Sequence, residues 1–301
     1  MSQPKVIIGL PVYNGQRYLG AAIESHLSQS FDDFELVISD NGSTDSTPEI
    51  CADYARRDSR VRYLRSAENR GILWNHRRVL EAIQSPEQYF RWAGGDDILE
   101  PGLLEEMVTV LATRPEVEGV MPATKNIDDT GQVVGSMPRT LEITSPNPYV
   151  RARDVLLANY QHVVAYGLLR ASTLRQMRTG PSYPGWDPIF LWELALRGQI
   201  VQTPATALLR RFHAGSISRV KTKSEIRKWV EPTSRTGMNF PHWTWAYERA
   251  RVVLACPLSA RDRLRISSLV ARATLWQRGP LVRDVTQAMR RALGLSDEYT
   301  F

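Results

Sequence analysis

Lys5-Val6-Ile7-Ile8-Gly9-Leu10-Pro11-Val12 runs straight into Tyr13-Asn14-Gly15, an aliphatic segment followed at once by turn-forming residues. A short apolar run closed by a turn reads as a strand buried on both faces. Working outward, residues 16–28 place Tyr18, Leu19, Ala22, Ile23 and Leu27 on one side of a helix. The rhythm then repeats, with strands at 35–39, 61–65 and 88–92 and helices from Ser46, over 72–83 and from Pro101 through Ala112. Ser46 and Glu49 have the spacing of a capping box, and Pro48 is tolerated in a first turn. This βαβα succession predicts an α/β fold, a mostly parallel sheet with helices on both faces. Ligands of such sheets sit beyond the carboxyl ends of the strands. Chemistry is therefore expected just after Val12, Ser39 and Trp92.

The middle of the chain is less regular. Asp128-Asp129-Thr130-Gly131 reads as a turn between two short strands, residues 145–148 as a loop and residues 163–169 as a strand. Residues 187–197 form a helical pattern closed by Gly198, which is expected at the left-handed position after the helix. Beyond Arg211 the pattern is helical, over 243–255, 259–278 and 281–293, interrupted at Pro257 and Gly279-Pro280.

With 301 residues, 43% hydrophobic and 23% charged, the chain is composed like a globular enzyme rather than a disordered segment. Two cysteines, Cys51 and Cys256, are too few for a disulfide framework or a zinc site, which points to a reducing, cytoplasmic setting. The N-terminus lacks the pattern of a signal peptide, and no apolar run approaches the roughly 18–20 residues of a spanning helix. The net charge of +6 is uneven: residues 205–301 hold eighteen Lys and Arg against seven Asp and Glu. That third is expected to face something anionic, a membrane surface or a diphosphate. No motif for nucleic acid accompanies it, so none is expected as a partner.

Three strand ends carry polar clusters: Pro11-Val12-Tyr13-Asn14-Gly15, Asp40-Asn41-Gly42-Ser43-Thr44-Asp45, and Gly94-Gly95-Asp96-Asp97-Ile98-Leu99-Glu100-Pro101. Each alone is ordinary turn or cap chemistry. Their placement at successive strand ends is not. Together with Asn69-Arg70-Gly71 and Asn75, Trp186-Asp187 ahead of Leu194-Ala195-Leu196-Arg197-Gly198, and Arg211-Phe212-His213-Ala214-Gly215-Ser216-Ile217-Ser218, they resemble the family 2 glycosyltransferases of the GT-A fold. The resemblance covers roughly residues 4–220. It implies a catalytic domain over 1–220, with a nucleotide-sugar-binding half at 1–125 and an acceptor-binding half at 126–220, followed by a basic helical extension over 221–301.

The resemblance also implies a reaction: inverting transfer of a sugar from a nucleotide diphosphate donor, a UDP- or dTDP-sugar favoured, to an acceptor hydroxyl in bacterial polysaccharide or glycoconjugate synthesis. The base would lie against Tyr13 and the Asp40-Asn41 turn, with Pro11 fixing the strand exit and Asn14, Asn75 and Gly95 nearby. Relatives carry an aspartate at the Asn41 position that accepts the uracil N3 hydrogen; an amide oxygen can do the same, which leaves uracil, thymine and guanine open. Arg70 and Arg77 are candidates for the diphosphate, which guanidinium suits. Asp96 and His213 would hold Mn²⁺ or Mg²⁺, the imidazole favouring Mn²⁺, with Asp97 behind them or capping a helix. The signature's leading carboxylate is missing here, because Gly94 and Gly95 precede Asp96. Asp187 matches the base that takes the acceptor proton. Trp186, Trp192, Tyr183, Trp243 and Trp245 are candidates for stacking on a saccharide, free or lipid-linked, with core packing the plainer alternative.

A dinucleotide-binding oxidoreductase would need Gly-x-Gly-x-x-Gly after the first strand, which the prolyl segment from Gly9 to Gly15 does not supply. A nucleotidyltransferase would need a glycine-rich phosphate loop with a lysine, also missing. A non-catalytic nucleotide-sugar or carbohydrate-binding relative stays open, given the thinned acidic motif. For the basic C-terminal helices three outcomes stay open: packing on the catalytic domain, pairing with a second subunit, or resting peripherally on an anionic membrane at the inner face of the cell.

Overall fold

The structure, a computed structural model, describes residues 5–136, 142–157, 166–183, 185–213 and 240–292. Its first strand, β1 (Val6–Val12), is flanked by β2 (Phe34–Asp40) and then β3 (Val61–Arg65) on one side and by β4 (Tyr89–Trp92) on the other, all parallel. Helices α1 (Leu19–Leu27), α2 (Thr47–Arg57) and α3 (Ile72–Leu80) make the crossovers. After β5 (Ile98–Leu99) and α4 (Leu103–Thr113), the long β6 (Val117–Ile127) pairs with β7 (Val133–Ser136) across the turn expected at 128–131. Then follow α5 (Pro148–Leu157), β8 (Leu168–Arg170), α6 (Ala171–Gln176), α7 (Asp187–Arg197) and the thirteen-residue β9 (Gln199–Arg211). The sheet runs β3-β2-β1-β4-β8-β6-β9-β5, with β6 and β9 parallel and β8 and β5 antiparallel to their neighbours.

Alternation along the strands sends side chains to two cores. Val6, Ile8, Leu10 and Val12 face α1, α2 and α4, where Leu19, Ile23, Cys51 and Leu104 cover them. Ile7, Val37, Phe90 and Trp92 face the other side, against α3 and α7. Gly9 lets α3 close on β1, because a Cβ there would come within 2.6 Å of Val79. The second core extends into the C-terminal helices α8 (Pro241–Ala255), α9 (Ala260–Trp276) and α10 (Arg278–Ala292): Val252, Val253, Ile266, Leu269 and Val270 pack in one cluster with Ile189 and Phe190 of α7. The C-terminal helices thus have no core separate from that of α7. No described helix is long and apolar enough to cross a membrane.

Local expectations are corrected at several points. Ser46 makes no side-chain cap; Asp45, one residue earlier and charged, accepts from Thr47 N at 3.0 Å and from Gln16 N at 3.1 Å instead. Gly198 is not left-handed: its φ is −167°, and glycine is needed because a Cβ would run into Glu118 Cγ and the Glu116 carbonyl. Helices α5 and α6 and the strand β9 were not anticipated, and the third C-terminal helix runs through Gly279-Pro280 in its first turn, where proline needs no amide. The strand expected at 163–169 is described only from its later part, as β8; residues 163–165 and 214–218 lie outside the described residues.

Glu193 is wholly buried on α7 and carries the segment that follows α6. Its carboxylate accepts from the amides of Arg178 and Thr179, from the Thr179 hydroxyl and from Arg197, whose guanidinium lies 2.8 Å away. Removing one partner of such a pair leaves a buried charge uncompensated, so Glu193→Ala should cost about 3–5 kcal/mol of stability. A urea titration that finds less than about 1 kcal/mol would show that water reaches the site.

Candidate active site

The carboxyl ends of β1, β2 and β4 open into a cleft of about 710 Å³. Asn75 on α3 holds two of these ends together: its Nδ2 donates to the carbonyls of Val12 (3.2 Å) and Ser39 (2.8 Å), and its Oδ1 accepts from the Ser39 hydroxyl at 2.6 Å. The loops beyond are cross-linked. Asn14, the one described non-glycine residue with positive φ (51°), donates its amide to Ser43 Oγ and accepts from Thr44 N, both at 2.9 Å. Asparagine tolerates that conformation better than most residues. Gly15 N donates to Thr47 Oγ1 at 2.8 Å.

Asp40 is fully buried beneath the cleft, accepting from Ser43 N and from the Tyr63 hydroxyl, each at 2.9 Å. The Asn41 amide is largely spent on the next turn. Its Oδ1 accepts from Arg70 N at 3.0 Å and its Nδ2 donates to Asn69 Oδ1 and the Gly71 carbonyl. One lone pair of that oxygen is left for a base.

The acidic cluster lies across the cleft. Asp96 Oδ2 stands 3.0 Å from His213 Nε2, and Tyr18 packs its ring 4.9 Å from that imidazole. Asp97 is buried behind, its Oδ1 accepting from Arg211 N at 2.9 Å. Burial, and then the Asp96 charge, push the Asp97 carboxyl up to about 7. Gly94 makes room for it: a Cβ at 94 would lie 2.7 Å from Asp97 Oδ2. Arg211 clamps the far wall, donating from Nε to the Asp96 carbonyl and from Nη1 to the Asp128 carbonyl, while its guanidinium covers the Tyr18 ring at 4.6 Å. Beneath the floor Arg91 is fully buried; it donates to the Tyr166 carbonyl, and burial brings it down to about 10.

The structure therefore gathers Pro11, Tyr13, Asn14, Asn41, Asn75, Gly95, Asp96, Asp97 and His213 around one cleft. Other expected residues are placed elsewhere. Arg70 and Arg77 do not line it: Arg70 is exposed and stacks on Trp74 at 4.4 Å, and Arg77 is exposed on α3. Trp192 is 0% exposed and Trp186 6%, packed with Trp92 and Phe190 in the core, so neither ring is free to stack on a sugar. Asp187 is half-buried at the start of α7; burial raises its carboxyl to about 6, and its charge reaches Tyr166, which lines the cleft.

Sequence reasoning overlooked Arg17, Tyr18, His76, Tyr166 and Arg210, which all line the cleft. Arg210 and Arg211 had a signal, since basic residues directly before His213 at the end of a strand belong with it. His76 had none: its ring Nδ1 lies 2.9 Å from the Ile72 carbonyl, and burial holds it down at about 4. Among the described residues no group of three His, Cys, Asp or Glu converges as a metal cage. The Asp96–His213 pair still fits a cation completed by substrate oxygens, because two adjacent ligands at about 2.1 Å on an octahedral ion stand about 3.0 Å apart.

The model of the family described as "Glycosyl transferase family 2" matches residues 7–167, more than half of the chain, and the chain belongs to that family. EpsH of Bacillus subtilis, named as a glycosyltransferase, is 26% identical over 153 residues, 50% of this chain and 43% of its own length. The chondroitin synthase of Escherichia coli is 30% identical over 133 residues, 44% of this chain and 19% of that protein. The chain thus spans less than half the length of these relatives. In fold it is similar to S. aureus TarS 1-349 in complex with UDP-GlcNAc, at a TM-score of 0.67 and 14% identity, over 95% of this chain and 81% of that one.

Asn75→Ala would remove the side-chain partner of the Ser39 carbonyl and of the Ser39 hydroxyl, while the Val12 carbonyl would keep Asn41 N at 2.9 Å, at a cost of about 1–3 kcal/mol. Thermal unfolding should show that loss. A variant as stable as the parent would mean that water replaces the amide.

Proposed function

We propose that this chain transfers a sugar, with inversion, from a nucleotide diphosphate donor to an acceptor hydroxyl, in the synthesis of a bacterial polysaccharide or glycoconjugate. The observation that carries this reading is the meeting of three strand-end clusters, from β1, β2 and β4, around one cleft with Asp96 and His213 on its far wall. Family membership, the names of the relatives and the UDP-GlcNAc complex of TarS support it. The catalytic domain is taken as residues 1–220.

The base enters against Pro11, Tyr13 and the turn at Asn41, and the diphosphate faces Arg17, Arg210 and Arg211, which replace Arg70 and Arg77 in that role. Asp96 and His213 hold the divalent cation, which when bound offsets the diphosphate charge. The acceptor oxygen forms its bond to the anomeric carbon as the bond from that carbon to the diphosphate oxygen breaks, and the electron pair leaves with the nucleoside diphosphate. Asp187 takes the hydroxyl proton. Direct displacement from the opposite face inverts the anomeric centre. Titration calorimetry across UDP-, dTDP- and GDP-sugars tests the donor class, and failure to bind any of them rejects the reading.

Chelation with EDTA should abolish transfer, Mn²⁺ or Mg²⁺ should restore it, and Asp96→Ala should lose donor affinity as well as turnover. Full activity in EDTA would sink the metal assignment.

Burial raises the Asp187 carboxyl to about 6, so it is protonated below that pH and free to accept a proton above it. Activity should fall as pH drops through about 6. Asp187→Asn should keep donor binding, lose turnover by about 10²–10⁴-fold and lose this acid limb. Retention of more than about a tenth of the rate, or an unchanged pH profile, would assign the proton to another group.

A further inference from the structure

The C-terminal helices bury one face and leave the other uncovered by the described residues. On α8, Trp243, Tyr247, Ala250 and Leu254 recur at three- and four-residue intervals, share one face and are exposed, while Val252 and Val253 point inward. On α10, Val282, Val285 and Met289 repeat the arrangement, with Leu281 and Asp284 buried behind them. Leu264 and Leu275 stand out from α9, opposite the buried Ile266, Leu269 and Ala273, and Trp276 is exposed at its last residue. The most exposed of these side chains range from Val282 at 60% to Leu264 at 74%. Scattered surface leucines are ordinary, but aligned apolar stripes on α8 and α10, with large apolar side chains exposed on α9 between them in sequence, mark a contact surface.

The charge on the same helices says what the partner is. Residues 240–292 hold ten arginines and three acids. All three acids are already engaged: Glu248 with Arg251 at 3.1 Å, Asp262 with the Ser259 hydroxyl at 2.6 Å, and the buried Asp284 with His242 at 2.9 Å. Arg261, Arg272, Arg278, Arg283 and Arg290 are exposed beside the apolar stripes. A second copy meeting this face through its own would set like charge against like across a two-fold axis. A nucleic acid would meet the arginines but offers no hydrocarbon for Leu, Val and Met.

We infer that the outer face of α8, α9 and α10 is a docking surface for an anionic lipid bilayer. Guanidinium groups meet lipid phosphates, the Trp and Tyr rings lie at the headgroup level, and the aliphatic side chains enter the acyl boundary. The face is tied to the site, because Trp245 Nε1 of α8 donates to the Gly185 carbonyl at 2.9 Å, two residues before Asp187. This goes beyond the transfer reading and does not require it.

The test is co-sedimentation of the full chain with vesicles of phosphatidylcholine alone and with about 30% phosphatidylglycerol, each at low salt and at about 0.5 M salt. Binding is expected to the anionic vesicles only, weakening about tenfold or more in high salt. Two triple variants, L264S/W276S/M289S and R272E/R283E/R290E, change only exposed positions and should each lower partitioning by about tenfold with an unchanged circular dichroism spectrum. The proposal is overturned by no binding to either vesicle, by equal binding to both, by parental binding in both variants, or by a soluble dimer that the same substitutions dissociate. Donor binding, measured separately by calorimetry, should be unchanged in both variants. Vesicle binding without donor binding would refute the transfer reading and leave the docking surface standing; donor binding without vesicle binding would do the reverse.

Discussion

The side-chain amide of Asn75 donates to carbonyls near the ends of two adjacent parallel strands, those of Val12 and Ser39, and accepts from the Ser39 hydroxyl. Buried carbonyls must be satisfied somewhere, and the Val12 carbonyl accepts both from Asn75 and from Asn41 N at 2.9 Å, just beyond β2. A donor from a third element, α3, ties the ends of β1 and β2 to each other and to that helix. The loops that leave those ends then have little freedom. Asn14, Ser43, Thr44 and Thr47 bond across from one loop to the other, and Asn41 reaches on to Asn69, Arg70 and Gly71. The near wall of the cleft is thus a set of backbone turns held by side-chain amides and hydroxyls, with its charge buried in Asp40. Such a wall offers shape and neutral polar groups. The far wall offers charge.

That charge is balanced from below. Arg91 has no partner for Nε or Nη1 among the described residues, and its field lowers the cost of keeping carboxylates in the floor. It also helps to hold His26 neutral, although burial does most of that. Burial raises Asp97, and Arg91, Arg210 and the Arg211 amide oppose the rise. The strand β9 connects the two halves, because one continuous segment carries Arg210 and Arg211 into the cleft while pairing with β6 and β5.

The parallel half of the sheet was legible because its strands are short aliphatic runs with helical patterns between them, and length and period agree. The site was legible where polar residues sit directly after such runs: Tyr13-Asn14, Asp40-Asn41 and Asp96-Asp97. Legibility failed where function depends on direction rather than on position. Arg70 and Arg77 carry the right group on the right helix, yet one lies along Trp74 and the other faces solvent. Trp192 has helical spacing that suits a core or a binding face equally, and only the packing of α7 against β6 decides for the core. Asn41 was expected to keep its amide for a ligand, whereas the turn at residues 69–71 claims most of it. The strand β9 escaped notice because its threonines, alanines and arginines alternate weakly; its pairing with β6, not its composition, makes it a strand.

Gly94 and Asp97 compete for one volume, since a side chain at 94 would start 2.7 Å from the Asp97 carboxylate. This has a bearing on descent. Regaining the leading acid of the relatives' signature puts a Cβ against the buried Asp97 carboxylate, so that carboxylate has to give way. The oxygen that must move is Oδ2, while Oδ1 is the one that holds Arg211 N. The two positions are therefore expected to change together among relatives of this chain, an acid at 94 accompanying a different side chain or rotamer at 97, and glycine at 94 accompanying the inward aspartate seen here.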